Sequence, residues 1–269
     1  MSKDVPAALG VCLKELCLGT VKSQYEAVIR QATAEAWSYA DFLLELVQRE
    51  CQQRQHKRIE RLVKASKLAL EKSWAALDLK RLPTKVVQQL RTLLSGDFLD
   101  RRENVLVFGP PGSGKTHAVN AVALELVQSG RRVLFTKCSL LVQELLKAKR
   151  DLELKGLLRE LSRWEAVVID DLGYVQQSRE EMEVLFTLLA ERYERGSVLV
   201  TSNLAFSQWE QIFKDPMTTA AAIDRLVHHA VIVELNVPSY RAEAAKKAKQ
   251  GRAGSIEPPS SSEASKPQG

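Results

Sequence analysis

Residues 109–116 read Gly-Pro-Pro-Gly-Ser-Gly-Lys-Thr, a complete GxxxxGK[ST] match, and few short strings restrict a fold as tightly. The apolar run Val105–Phe108 comes before it, and Ala118, Val119, Val122 and Leu126 follow at helical spacing. A strand that turns through glycines and restarts as a helix aims backbone N–H groups at phosphates. Gly109, Gly112 and Gly114 allow turns and close approach that a Cβ would block. Pro110, Pro111, Ser113 and His117 belong to the same binding segment. Lys115 is placed to neutralise β- and γ-phosphates and the Thr116 hydroxyl to ligate Mg²⁺, so ATP and Mg²⁺ are the expected ligands.

Downstream of Val105, short aliphatic runs alternate with helical stretches. Strands are expected at Val105–Phe108, Arg132–Thr136, Ala166–Ile169, Ser197–Thr201 and Ala230–Leu235, with helices near 115–129, 139–149, 151–162, 179–194 and 206–213. This alternation predicts an α/β fold with a five-stranded, mainly parallel sheet between helices. Two strand ends carry polar groups where ligands sit in open α/β sheets. The run Ala166–Ile169 ends in Asp170 and Asp171, the first suited to hold Mg²⁺, the second to orient or deprotonate a water. A cap on the turn at Leu172-Gly173 is the plain structural alternative. Val198–Ser202 leads to Asn203, a candidate partner for the γ-phosphate or the attacking water, or simply a turn residue. Arg225, in the helical stretch Ala220–Val227, could reach a neighbouring subunit's γ-phosphate, although spacing alone favours a salt bridge with Asp224 or another carboxylate. The same reasoning applies more weakly to Arg241.

The first hundred residues look different. Apolar residues recur at helical steps over residues 24–48, and Ile59, Leu62 and Val63 continue the rhythm. Pro83-Thr84 marks a break and a new helix start, with Val86, Val87 and Leu90 as its stripe. Three regions follow: a helical, basic domain over 1–100, a core over 101–243, and a tail over 244–269. The tail, rich in Ser, Pro and Gly, is expected to be disordered. Charge follows the same division, +4, −1 and +3 for residues 1–100, 101–240 and 241–269. The excess concentrates between Arg49 and Lys72. There Arg54, Lys57, Arg58, Arg61 and Lys64 make a basic helical face that can lie along phosphates, or merely keep the chain soluble.

Other patterns exclude more than they suggest. No run of about 18 apolar residues exists to span a membrane, and the first residues lack a secretory pattern, so a cytoplasmic protein is expected. Cys12, Cys17, Cys51 and Cys138 form no CxxC pair and are expected to be reduced and mostly buried. His228 and His229, adjacent on a helix, would point about 100° apart and share no ion.

The stretches ENVLVFGPPGSGKTH, AVVIDDLGY, LLAERYERGSVLVTSNLAFSQWEQIF and IDRLVHHAVIVELNVPSYR resemble the IstB-like family of insertion-sequence transposition helpers. That family is a branch of the AAA+ ATPases close to the DnaC-type helicase loaders. The resemblance covers roughly residues 10–243, and the Leu188–Phe213 block is more specific than any nucleotide motif. It implies that Lys115 and Thr116 are Walker A groups, Asp170 and Asp171 Walker B, Asn203 sensor 1, and Arg225 an arginine finger acting between subunits. Arg241 stands where the family carries an arginine that senses nucleotide. By the same resemblance the N-terminal helices contact double-stranded DNA, and the partners are a transposase of the same element and further copies of the chain across ATP-bridged interfaces. The implied function is ATP-dependent assembly on target DNA, which is then presented to the transposase. Helicase loading is the alternative. Two departures stand out. AAA+ proteins at large end Walker B in Glu, and Asp171 is one methylene shorter, which also raises a non-hydrolysing, ATP-responsive scaffold. The stretch Ala75–Leu82 lacks the aromatic that often helps seat adenine, so adenine contacts stay unassigned.

Overall fold

The computed structural model describes residues 5–173, 178–213, 216–240 and 243. Arg241 and the tail over 244–269 lie outside the described residues. Three helices come first: α1 (Val5–Glu15), α2 (Gly19–Ala34) and α3 (Tyr39–Ala65). A 3-10 turn (Leu79–Arg81), α4 (Thr84–Leu94) and α5 (Asp97–Asp100) then lead into β1 (Asn104–Phe108). There follow α6 (Lys115–Gln128), β2 (Val133–Lys137), α7 (Cys138–Arg150), α8 (Leu154–Leu161), β3 (Ala166–Leu172), α9 (Arg179–Arg192) and β4 (Ser197–Ser202). A second 3-10 turn (Phe206–Gln208), α10 (Glu210–Phe213), α11 (Pro216–Val227) and β5 (Ala230–Glu234) complete the described elements.

The five strands lie in the order β2-β3-β4-β1-β5, and every pairing is parallel. Side chains alternate between the two faces, as strand geometry requires. Val105 and Val107 join one core with α4 and α6, while Leu106 joins a second core with α7, α9 and α11. Leu68, Leu77, Leu82, Val86, Leu90, Phe98 and Leu99 share the first core, so the segment after α3 packs directly on the sheet's covering helix.

Three expectations are corrected. The helix over 24–48 is two helices, because Ala36 has φ +53°, outside the helical region, and Ser38 starts α3 by accepting the Asp41 N–H at 3.2 Å. Residues 206–213 form a 3-10 turn and one short helix in place of a continuous helix. Cys12, Cys17 and Cys51 are exposed and Cys138 is buried: Cys12 and Cys51 sit on solvent-facing positions of α1 and α3, and Cys17 in the turn between α1 and α2. Among the described residues no helix is long and apolar enough to cross a membrane.

Arg192 closes α9 with its side chain buried. Its guanidinium donates to the carbonyls of Leu161 and Ser197, each at 2.9 Å, and of Trp164 at 3.1 Å and Glu165 at 3.2 Å. Burial lowers its pKa to about 10, far below the ordinary value but high enough to keep the charge at neutral pH. Gly196 makes room for it, since a Cβ there would lie 2.6 Å from Nη2. Arg192→Met would strip four carbonyls of their donor at a cost of ~3 kcal/mol. For a chain of this size that is a fall in Tm of roughly 6–12 °C, readable by calorimetry.

Candidate nucleotide site

The cleft forms where β1, β3 and β4 end. About 640 Å³ in volume, it is lined by Pro111–His117, Lys72, Lys137, Asp171 and Asn203, with Leu77, Leu82, Leu235 and Tyr240 at its apolar end. Gly109 begins the turn from β1, and a Cβ there would meet the Leu235 carbonyl oxygen at 2.5 Å. Lys115, at the first turn of α6, donates to the Gly109 carbonyl at 2.7 Å and to the Pro110 carbonyl at 3.1 Å. Pro110 also accepts the Ser113 N–H at 3.2 Å, while the buried Ser113 hydroxyl oxygen has no hydrogen-bond partner. His117 points its Nε2 at the Ser73 carbonyl, 3.2 Å away, which requires the proton on Nε2.

Thr116 and the carboxylate end of β3 meet directly. The Thr116 hydroxyl lies 2.9 and 3.1 Å from the two Asp170 oxygens, and Thr201 of β4 donates to Oδ1 at 2.6 Å. Burial pushes the Asp170 carboxyl above its usual range, against the Thr201 bond that favours the charged form. Asp171 is exposed in the cleft although it follows Asp170 in the same strand. A register shift between Ile169 and Leu172 and a φ of +62° at Asp171 turn it there, with its N–H held by Thr201 Oγ1 at 2.9 Å. A hydroxyl and a carboxylate side by side are hard oxygen donors suited to Mg²⁺. The glycine turn and the partnerless Ser113 hydroxyl suit a phosphate chain. The residues present therefore fit Mg²⁺ and a nucleoside triphosphate.

Sequence reasoning overlooked Lys72, Lys137 and the apolar end of this cleft. Tyr240 brings an aromatic ring against residues 78 and 81. Its N–H donates to the Gly112 carbonyl at 3.0 Å, its hydroxyl to the Asp78 carbonyl at 3.3 Å, and the Arg81 guanidinium lies 3.8 Å from its ring centre. Nothing in one dimension signals that residue 240 folds back onto residue 112.

Arg225 is not in this cleft. Asn104, which opens β1, donates to the carbonyls of Arg225 and Leu226, so Arg225 stands at the end of the sheet opposite the phosphate loop. The five residues of β1 span roughly 15 Å, more than an arginine side chain reaches. Its guanidinium bonds the Ala221 carbonyl at 3.1 Å and lies 4.7 Å from the Phe186 ring centre. The salt bridge to Asp224 does not form, because consecutive helical residues do not face each other. His228 and His229 follow α11 and are not helical, so their rings come within 4.1 Å. The two imidazoles therefore do not diverge, and Glu194 adds a third donor within 4.8 Å.

The basic residues Arg54, Lys57, Arg58, Arg61 and Lys64 are exposed along α3 at three- and four-residue steps. Arg54 is partly committed, pairing with Glu50 at 2.8 Å and donating to the Cys17 carbonyl at 2.7 Å.

A family model described as IstB-like ATP binding protein matches residues 11–248. An insertion-sequence ATP-binding protein of Sinorhizobium fredii is 40% identical over 247 residues, 91% of this chain and 83% of that one. The IS21 ATP-binding protein of Pseudomonas aeruginosa is 35% identical, covering 89% of this chain and 91% of that one. Among solved structures, DnaI aligns with a TM-score of 0.51 at 22% identity, over 60% of this chain and 89% of its own. AMPPCP-bound DnaA from Aquifex aeolicus aligns with a TM-score of 0.54 at 13% identity, over 69% of this chain and 56% of its own. These likenesses confirm an AAA+ P-loop fold.

Proposed function

Because the chain belongs to the IstB-like ATP-binding family, we propose that it is an ATP-dependent helper of transposition that assembles on target DNA and presents it to its element's transposase. ATP hydrolysis would control that assembly. The observation that carries the reading is the contact of Thr116 with Asp170 beside Lys115, a site whose chemistry suits Mg²⁺ and a triphosphate. Lys115 exchanges its loop carbonyls for β- and γ-phosphate oxygens. Thr116 and Asp170 would hold Mg²⁺, which when bound would neutralise charge on the phosphates. Asp171 accepts a proton from the attacking water, and Asn203 orients that water or the γ-phosphate. Tyr240, Leu77 and Leu82 receive the base. Arg225 acts on the nucleotide of a neighbouring copy, which its distance from its own phosphate loop supports.

The basic stripe of α3 lies along the duplex backbone and reads shape more than base edges. DNA binding with ATP, measured from about 50 to about 200 mM salt, is expected to weaken steeply. Lys57→Glu with Arg61→Glu should lower affinity about tenfold or more on every sequence and reduce the logarithmic salt slope by about 2. A flat salt response in the wild-type chain would count against DNA as the client. Retention of a replicative helicase in place of the transposase in a pull-down would favour loading instead.

A further inference from the structure

The nucleotide cleft holds a lysine that the mechanism above leaves unused, and it comes from the segment joining the basic helix to the core. After α3 ends at Ala65, the chain does not run free. The Ser66 carbonyl accepts the Phe135 N–H of β2 at 2.8 Å, and Leu68 is buried in the core beneath. Asn120 of α6, fully buried, then clamps the next turn. Its Oδ1 accepts the Ala69 N–H at 3.0 Å, and its Nδ2 donates to the carbonyls of Ala69 at 2.8 Å and Lys72 at 3.1 Å. His117 bonds the Ser73 carbonyl one residue further on. Residues 66–73 are thus stitched to the same helix that carries Lys115 and Thr116.

This clamp fixes the backbone of Lys72 and leaves its side chain in the nucleotide cleft, among Lys115, Thr116, Lys137 and Asp171. Lys72 forms no ion pair in the described residues. It lines the same cleft as Lys115 and Thr116, the groups that would meet the phosphates. A triphosphate brings more negative charge than Lys115 and one divalent ion cancel beside two aspartates. A further cation in the cleft is therefore favourable when the terminal phosphate is present, and has less to bind when it is absent.

From this geometry we infer that Lys72 binds the terminal phosphate of ATP and transmits its presence to the end of α3. The inference rests on the ATP reading of the cleft and adds to it a device that tells ATP from ADP. The transmitting path is short: seven residues, Ser66–Lys72, separate the last turn of the basic helix from the phosphate. Loss of the terminal phosphate would free the Lys72 side chain and withdraw its pull on the segment that ends the DNA-facing stripe, while the Asn120 bonds stay in place.

Lys72→Met keeps the unbranched stem and removes the charge, and Lys72→Arg keeps the charge. Equilibrium binding of AMPPCP and of ADP, each with Mg²⁺, is the measurement, with DNA affinity at saturating AMPPCP as a second readout. In Lys72→Met, AMPPCP should bind about tenfold more weakly, the weight of one charge-assisted contact, while ADP changes less than about twofold. The AMPPCP-dependent gain in DNA affinity should disappear at saturation, and Lys72→Arg should recover most of both. Equal weakening of both nucleotides, or of neither, overturns the role of Lys72. If Lys115→Ala loses both nucleotides while the ratio is unchanged in Lys72→Met, this inference fails and the ATP reading stands. A wild-type chain that binds neither nucleotide overturns both.

Discussion

Lys115→Ala is expected to weaken ATP binding by two orders of magnitude or more while leaving the fold intact. The ammonium already contacts the Gly109 and Pro110 carbonyls, so the loop holds it beside the path of the phosphates. Exchange of those contacts for two phosphate oxygens gains charge-assisted hydrogen bonds, each worth roughly 1.5–3 kcal/mol. Two such bonds amount to about 100-fold in affinity or more. The cost to folding is small by comparison. Gly109 is half-buried and Pro110 exposed, so water can replace the lost donor. Calorimetric binding of ATP with Mg²⁺ reads the first effect, and the melting temperature reads the second. Unchanged ATP affinity would mean that the phosphates do not sit on residues 109–116. Because the proposed assembly on DNA depends on ATP, the variant should also lose the ATP-dependent gain in DNA affinity, although the stripe on α3 is untouched.

What the sequence reveals and conceals follows from which forces are local. The phosphate loop is legible because its chemistry needs glycines, a lysine and a hydroxyl at fixed steps, and those steps survive in one dimension. The five strands are legible because both faces of the sheet are covered, which leaves uninterrupted runs such as Val105–Phe108 and Ala166–Ile169. The Leu188–Phe213 block has a physical basis too. It contains Arg192, which ties four carbonyls, and Trp209, which is fully buried and donates to the Leu204 carbonyl at 3.1 Å. What escaped was decided at a distance. The bulge that turns Asp171 outward depends on Thr201, thirty residues away. Lys72 enters the cleft because Asn120 holds its backbone, and Tyr240 because Gly112 receives its N–H. The break at Ala36 was concealed for the opposite reason. Its neighbours keep a helical apolar rhythm on both sides, so periodicity runs straight through a residue whose φ is +53°.

Arg225→Ala should leave ATP affinity nearly unchanged and reduce turnover by about 10³-fold or more, the scale of arginine fingers elsewhere. The separation of the two effects follows from position. Arg225 stands beside Asn104 at one end of β1, and the phosphate loop begins at the other, so the chain's own nucleotide is out of reach. Phosphate release in an equal mixture of Arg225→Ala and Lys115→Ala chains tests this directly. Each variant alone lacks one group at every interface. Random assembly pairs an intact Lys115 with an intact Arg225 at about one interface in four, and activity should return in that proportion. A finger acting within its own chain would recover nothing. The guanidinium must first leave the Phe186 ring and the Ala221 carbonyl. A cation–π contact of this kind holds it by only about 0.5–1 kcal/mol, which a γ-phosphate in a neighbouring copy easily outweighs. The resting contact thus keeps Arg225 ordered without withholding it. On this account, Phe186→Leu should leave turnover per assembled interface little changed.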